Sequence, residues 1–149
     1  MAVKITSVAK QLPKYYRETK DIIPFVKLWM QDQDTRFQRK VIKLFEGAAV
    51  DKRYSIMDPE EVFTATSFEE KNDIYAREVV QLAEKSLKKS LDKASLKPTD
   101  IDYIITVSCT GIMIPSVDAY LINSLGMKQD IVRLPVTEMG YAAGVSGII

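Results

Sequence analysis

No histidine occurs anywhere in the 149 residues. That removes the commonest general base near neutral pH and the commonest transition-metal ligand. Neither a Cys-His nor a Ser-His-Asp site can be drawn from the chain's own residues. Zinc sites of the usual Cys/His spacing are excluded too, and no metal is expected. Cysteine occurs once, at Cys109, so an internal disulfide is impossible and a reducing, cytoplasmic setting is expected. Charge of one sign is also missing: 21 basic against 20 acidic residues leave a formal +1. With no global field toward nucleic acid or an anionic membrane, neither is an expected partner, and any basic site must be local. There is no run of about 18 apolar residues to span a bilayer. Met1–Thr6 carries no apolar stretch of signal-peptide length.

What is present reads as an ordinary α/β chain, 46% apolar and 28% charged. Val3, Ile5 and Val8 predict a first strand over Val3–Val8, stopped by Pro13. A helix is expected over Thr19–Gln31, with Pro24 near its first turn, where a missing N–H costs least. A second, over Asp34–Ala48, has Phe37, Val41, Leu44 and Phe45 as its apolar stripe and Arg36, Arg39, Lys40 and Lys43 opposite. A short strand with Arg53-Tyr54 follows within Val50–Pro59. Ser67-x-x-Glu70 is a capping-box pattern opening a long helix over Phe68–Ala94, in which Tyr75, Val79, Leu82, Ala83, Leu87 and Leu91 recur at helical spacing. Asp100–Ser108 is apolar enough to predict a strand buried on both faces. Then come a loop at Cys109–Pro115, a helix over Val117–Ser124 with Gly126 as C-cap, a strand at Asp130–Leu134 and a helix from Ala142. The order strand, helices, strand, helix, strand, helix predicts a largely buried sheet covered by helices. Ile149 falls inside an apolar run with no breaker, so the chain is expected to be the front part of something longer.

Four segments in order carry a resemblance. They are the basic helix with Lys40 and Lys43 followed by Lys52-Arg53-Tyr54; the loop Ser108–Asp118; Leu125-Gly126 with Arg133-Leu134; and the turn Gly140–Gly147. Together they resemble the type III polyketide synthases, the chalcone synthase-like group of the thiolase superfamily. The resemblance covers the whole chain. It implies the N-terminal half of a thiolase-like αβαβα fold with a mixed buried sheet, residues 1–149 forming one N-terminal domain. It also implies an acyltransferase that loads an acyl group from coenzyme A onto a cysteine and extends it by decarboxylative condensation with malonyl-CoA. No bound cofactor is implied, since the coenzyme A thioesters are substrates. A homodimer is implied, as are a histidine and an asparagine partner in the second half of the fold.

The resemblance places this family's nucleophilic cysteine between Gly140 and Ala142, where this chain has Tyr141. A phenol with a pKa of about 10 stays protonated at neutral pH and is a far poorer acyl carrier than a thiolate. A substitution, a natural non-catalytic member and phenol chemistry are the three readings of that residue, and all three predict that this chain does not condense acyl groups. Lys40 and Lys43 match basic positions for coenzyme A phosphates, and i, i+3 spacing puts them on one helix face with Arg36. The alternative is a solvated face. Cys109 and Thr110 match a loop lining the active site, although a position just after a buried strand predicts a packed, inert thiol. Ile114 matches a residue reaching into the dimer partner's cavity, and a cis Ile114-Pro115 bond is expected. A ketoacyl-ACP synthase III or hydroxymethylglutaryl-CoA synthase relative, and a non-catalytic acyl-CoA-binding or dimerisation module, are the competing functions.

Overall fold

The computed structural model describes residues 3–63, 67–140 and 142–148. The chain divides into two compact units, one of residues 12–67 and one of residues 1–11 with 68–149.

In the 12–67 unit, β1 (Tyr15–Glu18) pairs antiparallel with β2 (Lys52–Ser55), Arg17 standing opposite Arg53. Between them lie α1 (Thr19–Trp29) and α2 (Thr35–Gly47), and α3 (Pro59–Phe63) follows. Asp34 caps α2 by accepting the Phe37 N–H at 3.2 Å, as Asp does at N-cap positions. Ile22, Val26 and Met30 form the buried centre, with Val41, Ile42, Phe45 and Phe63 packed on it. The apolar stripe of α2 therefore differs from expectation: Val41 and Phe45 face inward, joined by Ile42, while Phe37 and Leu44 are exposed, Leu44 by 71%. Counted from Thr19, Pro24 is the sixth residue of α1, past the first turn, so its missing N–H falls within the helix.

The other unit is built on α4 (Phe68–Ala94), whose observed bounds coincide with those expected. A short 3₁₀ turn at Pro98–Asp100 leads to β3 (Tyr103–Ser108), α5 (Val117–Leu125), β4 (Val132–Thr137) and α6 (Ala142–Ser146). β3 and β4 are parallel, from Tyr103 opposite Val132 to Ser108 opposite Thr137. α5 thus closes a βαβ unit. Ile104, Val117, Leu121, Ile122, Met127 and Ile131 are its buried core, against which Val79, Ala83 and Leu87 of α4 pack. Gly126 ends α5 with φ +63°, and the Met127 N–H returns to the Ile122 carbonyl at 3.0 Å. β4 runs through Pro135, three residues beyond the expected end, which an outer strand of a two-stranded sheet tolerates.

Two expectations fail here. Val3–Val8 is ordered but forms no strand. Hydrogen bonds to α4 hold it instead: the Ser7 hydroxyl donates to the Ser90 carbonyl at 2.8 Å, and the Lys93 side chain donates to the Val8 carbonyl at 3.1 Å. β3 is also not buried on both faces. Ile104 is buried, whereas Tyr103, Ile105 and Val107 on the alternate face are exposed. Among the described residues, no helix is long and apolar enough to cross a membrane.

Candidate functional site

In the unit built on α4, the parallel pair ends with Ser108 beside Thr137, so the segments leaving β3 and β4 start side by side. The carboxyl edge of parallel strands is where α/β folds open their ligand crevices. The segment after β3 is the loop Cys109–Ser116, and α4 holds it at two points one helical turn apart. Asn72 Nδ2 donates to the Ile112 carbonyl at 2.9 Å, while the Ile112 N–H donates to Asn72 Oδ1 at 2.8 Å. The hydroxyls of Tyr75 and Ser108 are hydrogen-bonded to each other. The Tyr75 ring also requires glycine at 111, because a Cβ there would stand 2.3 Å from Tyr75 Cδ1. A cavity of about 180 Å³ lies behind the loop, lined by Tyr75, Val79, Ser108, Gly111, Met113 and Pro135 among others.

A second brace ties the same loop to β4. Asp118, at the start of α5, is fully buried. Arg133 Nε and Thr106 Oγ1 both donate to its carboxylate, the latter at 3.3 Å, and Arg133 Nη2 donates to Ser116 Oγ at 3.2 Å. Burial acts to raise the Asp118 carboxyl, but hydrogen bonds from Arg133 and Ser116 and the Arg133 charge outweigh it. The net pKa is lowered from the ordinary carboxylate value.

Held this way, the loop turns its site residues outward. Cys109 is a free, exposed thiol, which corrects the expectation of a packed, inert one: the strand before it is covered on a single face. Thr110 is exposed beside it. The Ile114-Pro115 peptide is cis, and Ile114 is 94% exposed.

The segment after β4 turns through Glu138 at φ +61° and Gly140 at φ +55° into α6. Glu138 donates its N–H to the Ser108 carbonyl at 3.3 Å, which joins this turn to the end of β3. Ala143 is fully buried, and a Cβ on Gly147 would sit 3.2 Å from Val107 Cγ2, so α6 packs closely on β3. Tyr141 lies outside the described residues.

In the 12–67 unit, the predicted phosphate ligands separate. Lys43 lines a shallow groove with Lys27, Arg39, Ile42 and Glu46, whereas Lys40 is exposed and lies outside that lining. Spacing on α2 alone pointed to 36, 40 and 43. The partner reading i, i+4 from Arg39 to Lys43 was equally available, but Lys27 comes from α1 and only tertiary structure adds it.

The arrangement is that of a thiolase-type fold. Its likeness to the crystal structure of 1,3,6,8-tetrahydroxynaphthalene synthase from Streptomyces coelicolor, a bacterial type III polyketide synthase, has a TM-score of 0.84 at 29% identity. That likeness covers 95% of this chain and 41% of that one. The family pattern of the chalcone and stilbene synthases, N-terminal domain, matches residues 3–149, and the chain belongs to that family. The Streptomyces coelicolor synthase is 37% identical in sequence over 107 residues, covering 72% of this chain and 29% of its own length. Phloroglucinol synthase of Pseudomonas fluorescens is 31% identical over 106 residues, covering 71% and 30%. The chain thus spans about a third of the length of these relatives.

Proposed function

We propose that the chain supplies the N-terminal domain of a chalcone synthase-like acyltransferase whose substrates are an acyl-CoA starter and malonyl-CoA. The observation that carries this reading is the convergence of the Cys109–Ser116 loop and the Gly140–Gly147 turn at one carboxyl edge, in a chain matched by the family along its length. Lys43, with Arg39 and Lys27 along the groove and Lys40 beside it, holds coenzyme A phosphates. Cys109 and Thr110 line the acyl cavity, and the exposed Ile114 reaches into a dimer partner. Tyr141 occupies the acyl-carrier position, and its phenol does not take over that role, so this chain does not condense acyl groups. No nucleic acid or membrane takes part.

Two measurements test this. Titrating coenzyme A into the chain and into Arg39→Ala and Lys43→Ala variants should show binding that weakens about fivefold or more with each lost cation, the scale of a charge-assisted contact at an exposed site. Equal or absent binding in all three removes the ligand reading. Incubation with a starter and carboxyl-labelled malonyl-CoA should release no labelled carbon dioxide, and release above the blank would overturn the assignment of Tyr141 as inactive. A non-catalytic acyl-CoA-binding module is the second reading, favoured by Tyr141 itself, and it shares the first outcome but not any gain of turnover in Tyr141→Cys within the full-length protein.

A further inference from the structure

The β1–β2 ladder has two faces of opposite character. On one, Tyr16 pairs with Tyr54, ring centroids 5.9 Å apart, and Glu18 stands opposite Lys52. Both pairs are complementary, as cross-strand neighbours should be. On the other face, Arg17 stands directly opposite Arg53, a like-charge pairing that costs stability unless something neutralises it. Asp58 does so for Arg17, at 3.3 Å. Arg53 has no such partner: among the described residues no carboxylate forms an ion pair with it, and its Nε is buried without any hydrogen-bond partner. A buried, unmatched donor on a charged group calls for an acceptor.

The surroundings of Arg53 say what that acceptor is attached to. Its guanidinium carbon lies 4.9 Å from the centroid of the Phe45 ring. A guanidinium held against an aromatic ring keeps its N–H edges for a planar, two-oxygen acceptor. Arg53 and Arg17 line a cavity of about 210 Å³ whose other walls include Tyr15, Ile22, Phe45 and Phe63. An apolar cavity of roughly 150 Å³ is large enough to take benzene. We propose that this cavity is a binding site for a small carboxylate with an apolar body, its carboxylate on Arg53 and its body among Ile22, Phe45 and Phe63. Inorganic anions fit it poorly, because most of the wall offers them no hydrogen bonds.

Benzoate, benzamide and inorganic phosphate, each titrated into the full chain at constant ionic strength, test the proposal. Binding is read by calorimetry and by the side-chain Nε–H resonance of Arg53. Benzoate should saturate and shift that resonance, with benzamide and phosphate at least about tenfold weaker, the scale of a charge-assisted hydrogen bond. Arg53→Met should weaken benzoate by a similar factor while leaving the circular dichroism unchanged. Equal binding of benzoate and benzamide would reduce the site to an apolar pocket, and equal binding of phosphate would reduce it to a bare charge. Absence of saturable benzoate binding, with the Nε–H in fast exchange with water, would mean that solvent fills the gap. Each of these three results overturns the proposal, and the comparison among ligands stands even if Arg53→Met fails to fold.

Discussion

Asn72→Ala isolates the brace on the Cys109–Ser116 loop. The Asn72 side chain makes two hydrogen bonds to the backbone of one residue, donating to the carbonyl and accepting from the N–H of Ile112. A typical bond of this kind contributes about 0.5–1.5 kcal/mol net. Both lie at the surface, where water replaces part of the loss, so about 1 kcal/mol is the expected total for the pair. The loss falls on local opening of the loop more than on the core, because Ile112 is exposed and packs on none of the buried cluster. Hydrogen exchange at the Ile112 amide should therefore quicken about fivefold, the factor that 1 kcal/mol represents. Amides of β3 should keep their protection. Asn72→Asp is the informative partner, since a carboxylate accepts from the Ile112 N–H but repels its carbonyl, and it should speed exchange by at least as much as alanine. Alkylation of Cys109, the only thiol, gives a second readout of the same loop, and its rate should change with the loop's position. Unchanged Ile112 exchange and unchanged Cys109 reactivity in Asn72→Ala would refute the claim that α4 sets the loop.

Gly111→Ala should cost about 1–3 kcal/mol by overpacking against the Tyr75 ring, and a Tyr75→Ala background should remove most of that penalty in urea denaturation. Glu138→Gly should raise the melting temperature, because a non-glycine residue in the left-handed region costs about 1–2 kcal/mol. Asp118 sets a pH dependence. Its folded pKa is lowered, so its contribution is present above the unfolded value of about 4 and is lost as pH falls through the folded one. In Arg133→Leu, burial still raises that carboxyl while only the weaker Ser116 and Thr106 hydrogen bonds oppose it, and acid unfolding should begin at higher pH. Since Arg133 is 42% exposed and water can partly replace it, the loss at neutral pH should be about 2 kcal/mol, below the range for fully buried pairs.

Legibility in the sequence followed how local the determining physics is. α4 could be read to its ends because 27 residues of helical periodicity need no partner to be seen. Gly126 was legible for the same reason, a left-handed C-cap being a property of one residue. Val3–Val8 misled, since alternation signals a strand only where a neighbour offers a ladder, and here the segment is tied to α4 through the Ser7, Ser90 and Lys93 side chains. The Asn72 and Tyr75 braces were invisible because their partners lie 40 and 33 residues away. Lys27 escaped notice as a neighbour of Lys43 because it belongs to another helix.

The two faces of β3 are unequally supported, and that inequality bears on function. Ile104, Thr106 and Ser108 alternate toward α4 and α5, where a six-residue buried cluster and the Asp118 and Tyr75 hydrogen bonds hold them. Ile105 and Val107 alternate toward Gly147, the residue that follows the five-residue helix α6. A segment with few buried apolar contacts opens at low free energy, and such segments are the ones that can rearrange around a ligand. The loop after β3 is consequently fixed from the strongly packed side, while the turn after β4 is mounted on the weakly packed one. Substitutions at Asn72, Tyr75 or Gly111 should therefore move the Cys109 loop and leave α6 in place. Substitutions at Gly140 or Gly147 should loosen α6 and leave Ile112 exchange untouched, the Glu138–Ser108 hydrogen bond being, among the described residues, the backbone link between the turn and the end of β3.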